Sequence, residues 1–145
     1  MSRHERTTAS DAETEAFAAE LARRVRAPLV FRLEGELGAG KTTFVRGFVG
    51  ALPGGASVVV QSPTFALART YATQPRVHHL DLYRLQSAAG LEELGLLELL
   101  DDAAAFSFVE WPRDLALSVP CAFVRLTSVG GAPDARRVEI ELPGS

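Results

Sequence analysis

The chain contains no asparagine, one cysteine and one tryptophan, and only one of its fifteen basic residues is a lysine. The lone thiol, Cys121, excludes an internal disulfide and leaves too few sulfur ligands for a cysteine-rich zinc site. No apolar run approaches the ~18 residues of a membrane span. The opening segment MSRHERTTAS has no signal-peptide hydrophobic stretch. The expectation is a cytoplasmic chain with no membrane partner. Neither sign of charge dominates: a net charge of −3 argues against a free-standing binder of nucleic acid or of anionic lipid. The lysine count is the most pointed of these shortages. Fourteen arginines stand against Lys41 alone, as though position 41 requires a compact ammonium that a guanidinium cannot replace.

What is present suits one ordinary globular domain over 1–145, with 47% hydrophobic and 23% charged residues. Ser10 followed by Glu13 reads as a capping box. Phe17, Leu21 and Val25 then give a helix over 11–26 one apolar face, and Pro28 stops it. Residues 29–33 (LVFRL) read as a strand, 35–40 as a glycine-rich turn and 42–51 as a helix closed by Pro53-Gly54-Gly55. A short strand at 58–60 and the loop Ser62-Pro63-Thr64 follow. Residues 65–71 and 77–81 flank Gln74-Pro75 as a hairpin. Leu91, Leu94 and Leu97 begin a further helix ending near Asp101. Residues 106–109 form a buried strand closing on Glu110-Trp111-Pro112. Segments 122–127 and 137–142 make a terminal hairpin. Residues 1–9 read as loose. Strands alternating with helices, plus two hairpins, predict a mixed α/β sheet.

The chemistry begins at Gly35-Glu36-Leu37-Gly38-Ala39-Gly40-Lys41-Thr42, a complete Walker A pattern. The glycines let successive backbone N–H groups turn inward around a phosphate, and the following helix adds its positive dipole end. Lys41 is placed for the β- and γ-phosphates and the Thr42 hydroxyl for Mg²⁺. Context supports the reading, since an apolar strand precedes the loop and a helix follows it. A carboxylate at the end of a neighbouring strand must complete such a site. Glu110 and Asp81 both end apolar strands, and the run leading to Glu110 is the more apolar. Guanine-specific relatives of this loop read the base with an Asn/Thr-Lys-x-Asp segment. That segment cannot exist without asparagine or a second lysine, so ATP is the expected nucleotide.

Four segments together carry a resemblance: GELGAGKTT (35–43), SPTF (62–65), HLDLYRL (79–85) and VEWP (109–112). In order and approximate spacing, over about residues 10–112, they resemble the TsaE (YjeE) family. Its members are bacterial P-loop ATPases of tRNA threonylcarbamoyladenosine synthesis. The resemblance implies a P-loop NTPase-like sheet with parallel central strands and antiparallel additions, flanked by helices. It implies an ATP- and Mg²⁺-dependent subunit that docks on TsaB-like and TsaD-like proteins and meets tRNA only through that complex. Such a subunit hydrolyses ATP without itself transferring the carbamoyl group. By position, Lys41 and Thr42 resemble the phosphate lysine and the magnesium hydroxyl, and Glu110 the second magnesium-associated carboxylate. Asp81 resembles the functional acid of DLYR and Thr64 the switch threonine of SPTF. Glu36, Leu37, Gly38, Ala39, Gly40, Thr43 and Trp111 fall around the nucleotide. Segment 113–145 is variable in the family.

Slow hydrolysis by the isolated chain is expected, because no arginine is placed by motif to stabilise charge on the γ-phosphoryl group. Two rival readings share the loop. A small-molecule kinase would supply an arginine-rich lid, whereas the arginines here are scattered. A nucleotide-dependent binding module would use ATP only to control docking. His78 and His79, on opposite faces of one strand, read as structural or interface residues rather than a joint metal site.

Overall fold

The computed structural model describes residues 2–36, 38–63, 67–82, 95–110 and 117–144. Seven strands form one sheet: β1 (Ser2–Thr8), β2 (Leu29–Glu34), β3 (Ala68–Tyr71), β4 (Val77–Asp81), β5 (Phe106–Glu110), β6 (Cys121–Val129) and β7 (Ala132–Leu142). Their spatial order is β1-β7-β6-β2-β5-β4-β3. Strand β2 pairs in parallel with β5 and β6, and β5 in parallel with β4. The outer pairings β1–β7, β6–β7 and β3–β4 are antiparallel. Helices α1 (Asp11–Ala22) and α2 (Lys41–Gly50) cover one face, and the short α3 (Leu96–Leu100) lies over the other. The chain is thus an α/β sheet with a parallel centre and antiparallel additions.

The central strands are apolar throughout because both faces are covered. In β2, Leu29, Phe31 and Leu33 point to the α1–α2 side while Val30 joins the core under α3. In β5, Phe106 and Phe108 face α2 and Val109 the opposite side. Five phenylalanines fill the layer under α2. Phe31 stacks on Phe108 at 4.7 Å, and Phe48 meets Phe108 and Phe106 edge-on at 4.9 and 5.0 Å. Phe44 adds an edge contact to Phe108. Offset and edge-to-face pairs of this kind add to the burial term.

The capping box forms. The Glu13 N–H donates to Ser10 Oγ, and Glu13 Oε1 accepts from the Ala9 N–H. The helix ends four residues earlier than its periodicity suggests, because Arg23, Arg24 and Arg26 follow the buried turn Phe17–Ala22 and Pro28 disfavours helix before it.

Two expectations are corrected. Residues 1–9 are not a loose arm, since Ser2–Thr8 is an edge strand in register with Arg136–Leu142. All of its residues before Thr8 are exposed, so it carries no apolar alternation to read. Backbone pairing holds it, with cross-strand pairs such as Arg3–Glu139. Residues 58–60 join no ladder. They follow the tight turn Gly55–Ser57, and β4 already has β3 and β5 as neighbours. Only Val60 is buried, while Val59 is exposed. Helix α3 is described from Leu96 onward; Leu91 and Leu94 lie outside the described residues.

Helices α1 and α2 approach closely at Gly47, where an added Cβ would sit 2.3 Å from the Glu15 carbonyl oxygen. Helix propensity favours alanine over glycine by about 1 kcal/mol, yet backbone on backbone cannot give way as a side chain can. Gly47→Ala is expected to lower stability by about 1–3 kcal/mol, the range for overpacking. Urea denaturation checks it, and a stabilised variant would refute the contact.

On the other face, Asp102 accepts from Arg76 through two N–H groups at 2.7 and 2.9 Å, contacts His78 Nε2 at 2.8 Å and accepts from the Ala104 N–H at 2.9 Å. Arg76, then His78, hold its carboxyl well below the usual carboxylate range. A depressed folded-state pKa stabilises above the unfolded value of ~3.9, and that stability is lost as pH falls toward the folded value. Asp102→Asn should therefore be less stable than the parent at pH 7, with the gap closing below about pH 4. Denaturation midpoints across that range check the sign.

Candidate functional site

Strands β2, β4 and β5 end level. In the paired registers Leu33 lies opposite Glu110, and Glu110 opposite Asp81, so the two carboxylates are neighbours at the carboxyl ends of parallel strands. Open α/β sheets bind ligands at such ends. The segment after β2 bends through Gly38 (φ +80°) and Gly40 (φ +97°), left-handed values that glycine adopts without strain. A turn closed by Ala39 N–H to the Glu36 carbonyl at 2.9 Å leads into α2. Gly40 caps α2 with no side-chain acceptor, so its first-turn N–H groups are directed at the loop rather than consumed by a capping side chain.

Lys41 opens α2, buried, and its Nζ donates to the Gly35 carbonyl at 2.7 Å across the loop. Burial lowers its pKa, and the nearby charges of Glu110 and then Asp81 pull it back up. All three groups are nearly inaccessible: Lys41 is 7% exposed, Asp81 4% and Glu110 3%. Unpaired charges would not be held there, because desolvation costs several kcal/mol per ion. Thr42 and Thr43 follow in the first turn of α2, both half-buried. Behind Glu110, His79 Nε2 lies 2.6 Å from its Oε2. His78 points the other way, to Asp102, as alternation along β4 demands.

The structure therefore brings together Lys41, Asp81 and Glu110, with Glu36, Gly38, Ala39, Gly40, Thr42 and Thr43 in the loop and helix start. Leu37, Thr64 and Trp111 lie outside the described residues, as do Phe65, Tyr83 and Arg84. Among the described residues, no three His, Cys, Asp or Glu side chains group as a metal cage. No described helix is long and apolar enough to cross a membrane.

The family model described as threonylcarbamoyl adenosine biosynthesis protein TsaE matches residues 8–138. The chain belongs to the TsaE family. It is 32% identical over 140 residues to the tRNA threonylcarbamoyladenosine biosynthesis protein TsaE of Bacillus subtilis, covering 95% of this chain and 85% of that protein. Identity to the TsaE of Rickettsia bellii is 34% over 118 residues, 81% of this chain and 80% of the relative. A crystal structure of Bacillus subtilis YdiB superposes with a TM-score of 0.72 at 27% identity, covering 99% of this chain and 87% of that one.

The TsaE match runs past residue 112 and takes in a residue that motif reading passed over. From β7, Arg136 donates to the Gly38 carbonyl at 3.0 Å and the Ala39 carbonyl at 2.9 Å. It is anchored in turn on the Pro133 and Ala135 carbonyls at 2.7 Å each. One rigid guanidinium thus staples the glycine loop to the terminal hairpin. Nothing in the sequence flags Arg136 beside Arg137, because the contact spans nearly a hundred positions. Arg136→Ala should accelerate amide hydrogen exchange across 36–42 while leaving β2 protected. Exchange measured by mass spectrometry checks this, and unchanged loop exchange would remove Arg136 from the site.

Proposed function

We propose that this chain is the ATP-binding and ATP-hydrolysing subunit of the tRNA N6-threonylcarbamoyladenosine machinery. The observation that carries the reading is the convergence of Lys41, Asp81 and Glu110 at the uncapped start of α2. The donor set fits a magnesium nucleotide. Glycines at positive φ and a helix start with no capping side chain suit a polyphosphate. A hydroxyl and a carboxylate suit a hard cation that keeps several waters and binds mainly through phosphate oxygens.

On this reading, the N–H groups from Glu36 to Thr43 cradle the phosphates and Lys41 neutralises the β- and γ-oxygens. Thr42 and Glu110 hold Mg²⁺, which when bound screens negative charge developing on the phosphates. Asp81, beside Glu110, acts as the acid of the DLYR segment on the water or the metal shell. Thr64, Leu37 and Trp111 enter by resemblance alone, Thr64 as the γ-phosphate switch and the other two beside the nucleotide. The chain docks on a TsaB-like and TsaD-like pair, meets tRNA only through it and works in the cytoplasm. Hydrolysis supports turnover of that pair, and the carbamoyl transfer belongs to the partner.

The test is phosphate release by the purified chain with Mg·ATP, alone and with the pair and tRNA. Slow release that rises on adding the pair supports the reading. Lys41→Ala should abolish it, and Glu110→Gln should lower turnover by roughly 100-fold with a smaller loss of nucleotide affinity. Lys41→Ala retaining the parent rate would overturn the site. Turnover indifferent to the pair would overturn the role.

A further inference from the structure

A buried line of polar groups runs behind Glu110. Tyr71, the last residue of β3, donates its hydroxyl proton to the Gln61 carbonyl at 3.1 Å. The same oxygen lies 3.1 Å from His79 Nδ1, and His79 Nε2 lies 2.6 Å from Glu110 Oε2. Tyr71 is 5% exposed and His79 fully buried. A hydroxyl has one proton and a carbonyl only accepts, so the Tyr71 proton is committed to Gln61. The Tyr71 oxygen must then accept from His79, which places a hydrogen on Nδ1. A second hydrogen, shared between Nε2 and Oε2 at 2.6 Å, closes the line onto Glu110. Burial pushes the Tyr71 phenol above its ordinary value, so it remains a donor across the neutral range.

Glu110 needs such a restraint. It lies within the field of Lys41, and a glutamate has three rotatable side-chain bonds to fix before its carboxylate holds one orientation. We propose that Tyr71 and His79 are positioning residues of the nucleotide site: they hold the Glu110 carboxylate at the end of β5 and tie it to the backbone at Gln61, where the Ser62-Pro63-Thr64 segment begins. The inference rests on the reading that Glu110 serves the metal of a bound nucleotide. Metal ligands are commonly oriented by a hydrogen-bonded neighbour in this way.

Three substitutions separate the parts of the line. Tyr71→Phe deletes only the oxygen. His79→Gln keeps a donor where Nε2 stands, and His79→Asn keeps only the Nδ1 side. Affinity for a fluorescent ATP analogue is measured with Mg²⁺ and in EDTA, alongside thermal midpoint and kcat. His79→Asn should lose on the order of tenfold in Mg²⁺-dependent affinity and in kcat, and His79→Gln should recover part of both. Tyr71→Phe should lose about threefold. Binding in EDTA should stay within about twofold throughout. Losses that follow the thermal midpoint, or that are equal with and without Mg²⁺, would overturn the proposal and leave the line as packing. If the parent binds Mg·ATP without hydrolysing it, the ATPase reading fails alone, and the Mg²⁺-dependent affinities still decide this inference.

Discussion

The register of three parallel strands is the constraint on which the site depends. Side chains alternate faces along a strand, so a slip of one residue in β5 would carry Glu110 to the α3 side, away from Lys41. The aromatic layer prevents that slip. Phe106 and Phe108 stand two apart on the α2 face of β5, and each is gripped by Phe48 from above while Phe31 of β2 stacks on Phe108. Moving β5 by one position would take both rings out of the layer under α2 that they fill, at a cost of several kcal/mol. Phe48 also belongs to the helix that Lys41 begins. One cluster of rings therefore fixes both the height of the carboxylates and the position of the helix start they face.

The same alternation divides β4 into two devices. Even though His78 and His79 are consecutive, they serve separate faces. His78 joins Arg76 and Asp102 in an ion-pair cluster under the segment that leads into β5. His79 joins Tyr71 and Glu110 behind the loop. The first is a structural lock on the face opposite the glycine loop, and the second holds the Glu110 carboxylate that the proposed site uses. Both rings are nearly inaccessible, so neither can be replaced by a smaller polar group without leaving a buried donor or acceptor unmatched.

What could be read in advance follows from range. The capping box at Ser10, the glycine loop with Lys41, and Asp81 and Glu110 as strand ends are all spelled within a few residues, and each forms as read. The antiparallel terminal hairpin was equally local. Strand β1 was illegible because an edge strand with both faces wet needs no apolar pattern, only a partner backbone. Residues 58–60 show the converse: three valines have the composition of a strand, but composition alone supplies no partner backbone. Arg136 and the Tyr71–His79–Glu110 line were out of reach because their contacts cross between 8 and 98 positions. Such contacts are properties of the sheet order, which no local spacing encodes.

The burial of these charges also bears on why they are there. Lys41, Asp81, Glu110 and His79 sit where a globular protein of this size would normally place leucine or phenylalanine. Buried ionic clusters generally stabilise less than apolar residues of the same volume, and replacing them is often neutral or favourable. Stability therefore gives no reason for this cluster. Its arrangement gives one. Two carboxylates face a single ammonium, which leaves a surplus of acceptors at the sheet end. At Lys41 they meet the first turn of α2, which presents N–H donors with no capping side chain. Carboxylate acceptors adjoining the N–H donors of a helix start suit a ligand that is itself divided, a cation bound to an anion. On the proposed reading, a magnesium polyphosphate meets both ends at once, and neither the cation nor the phosphates alone would.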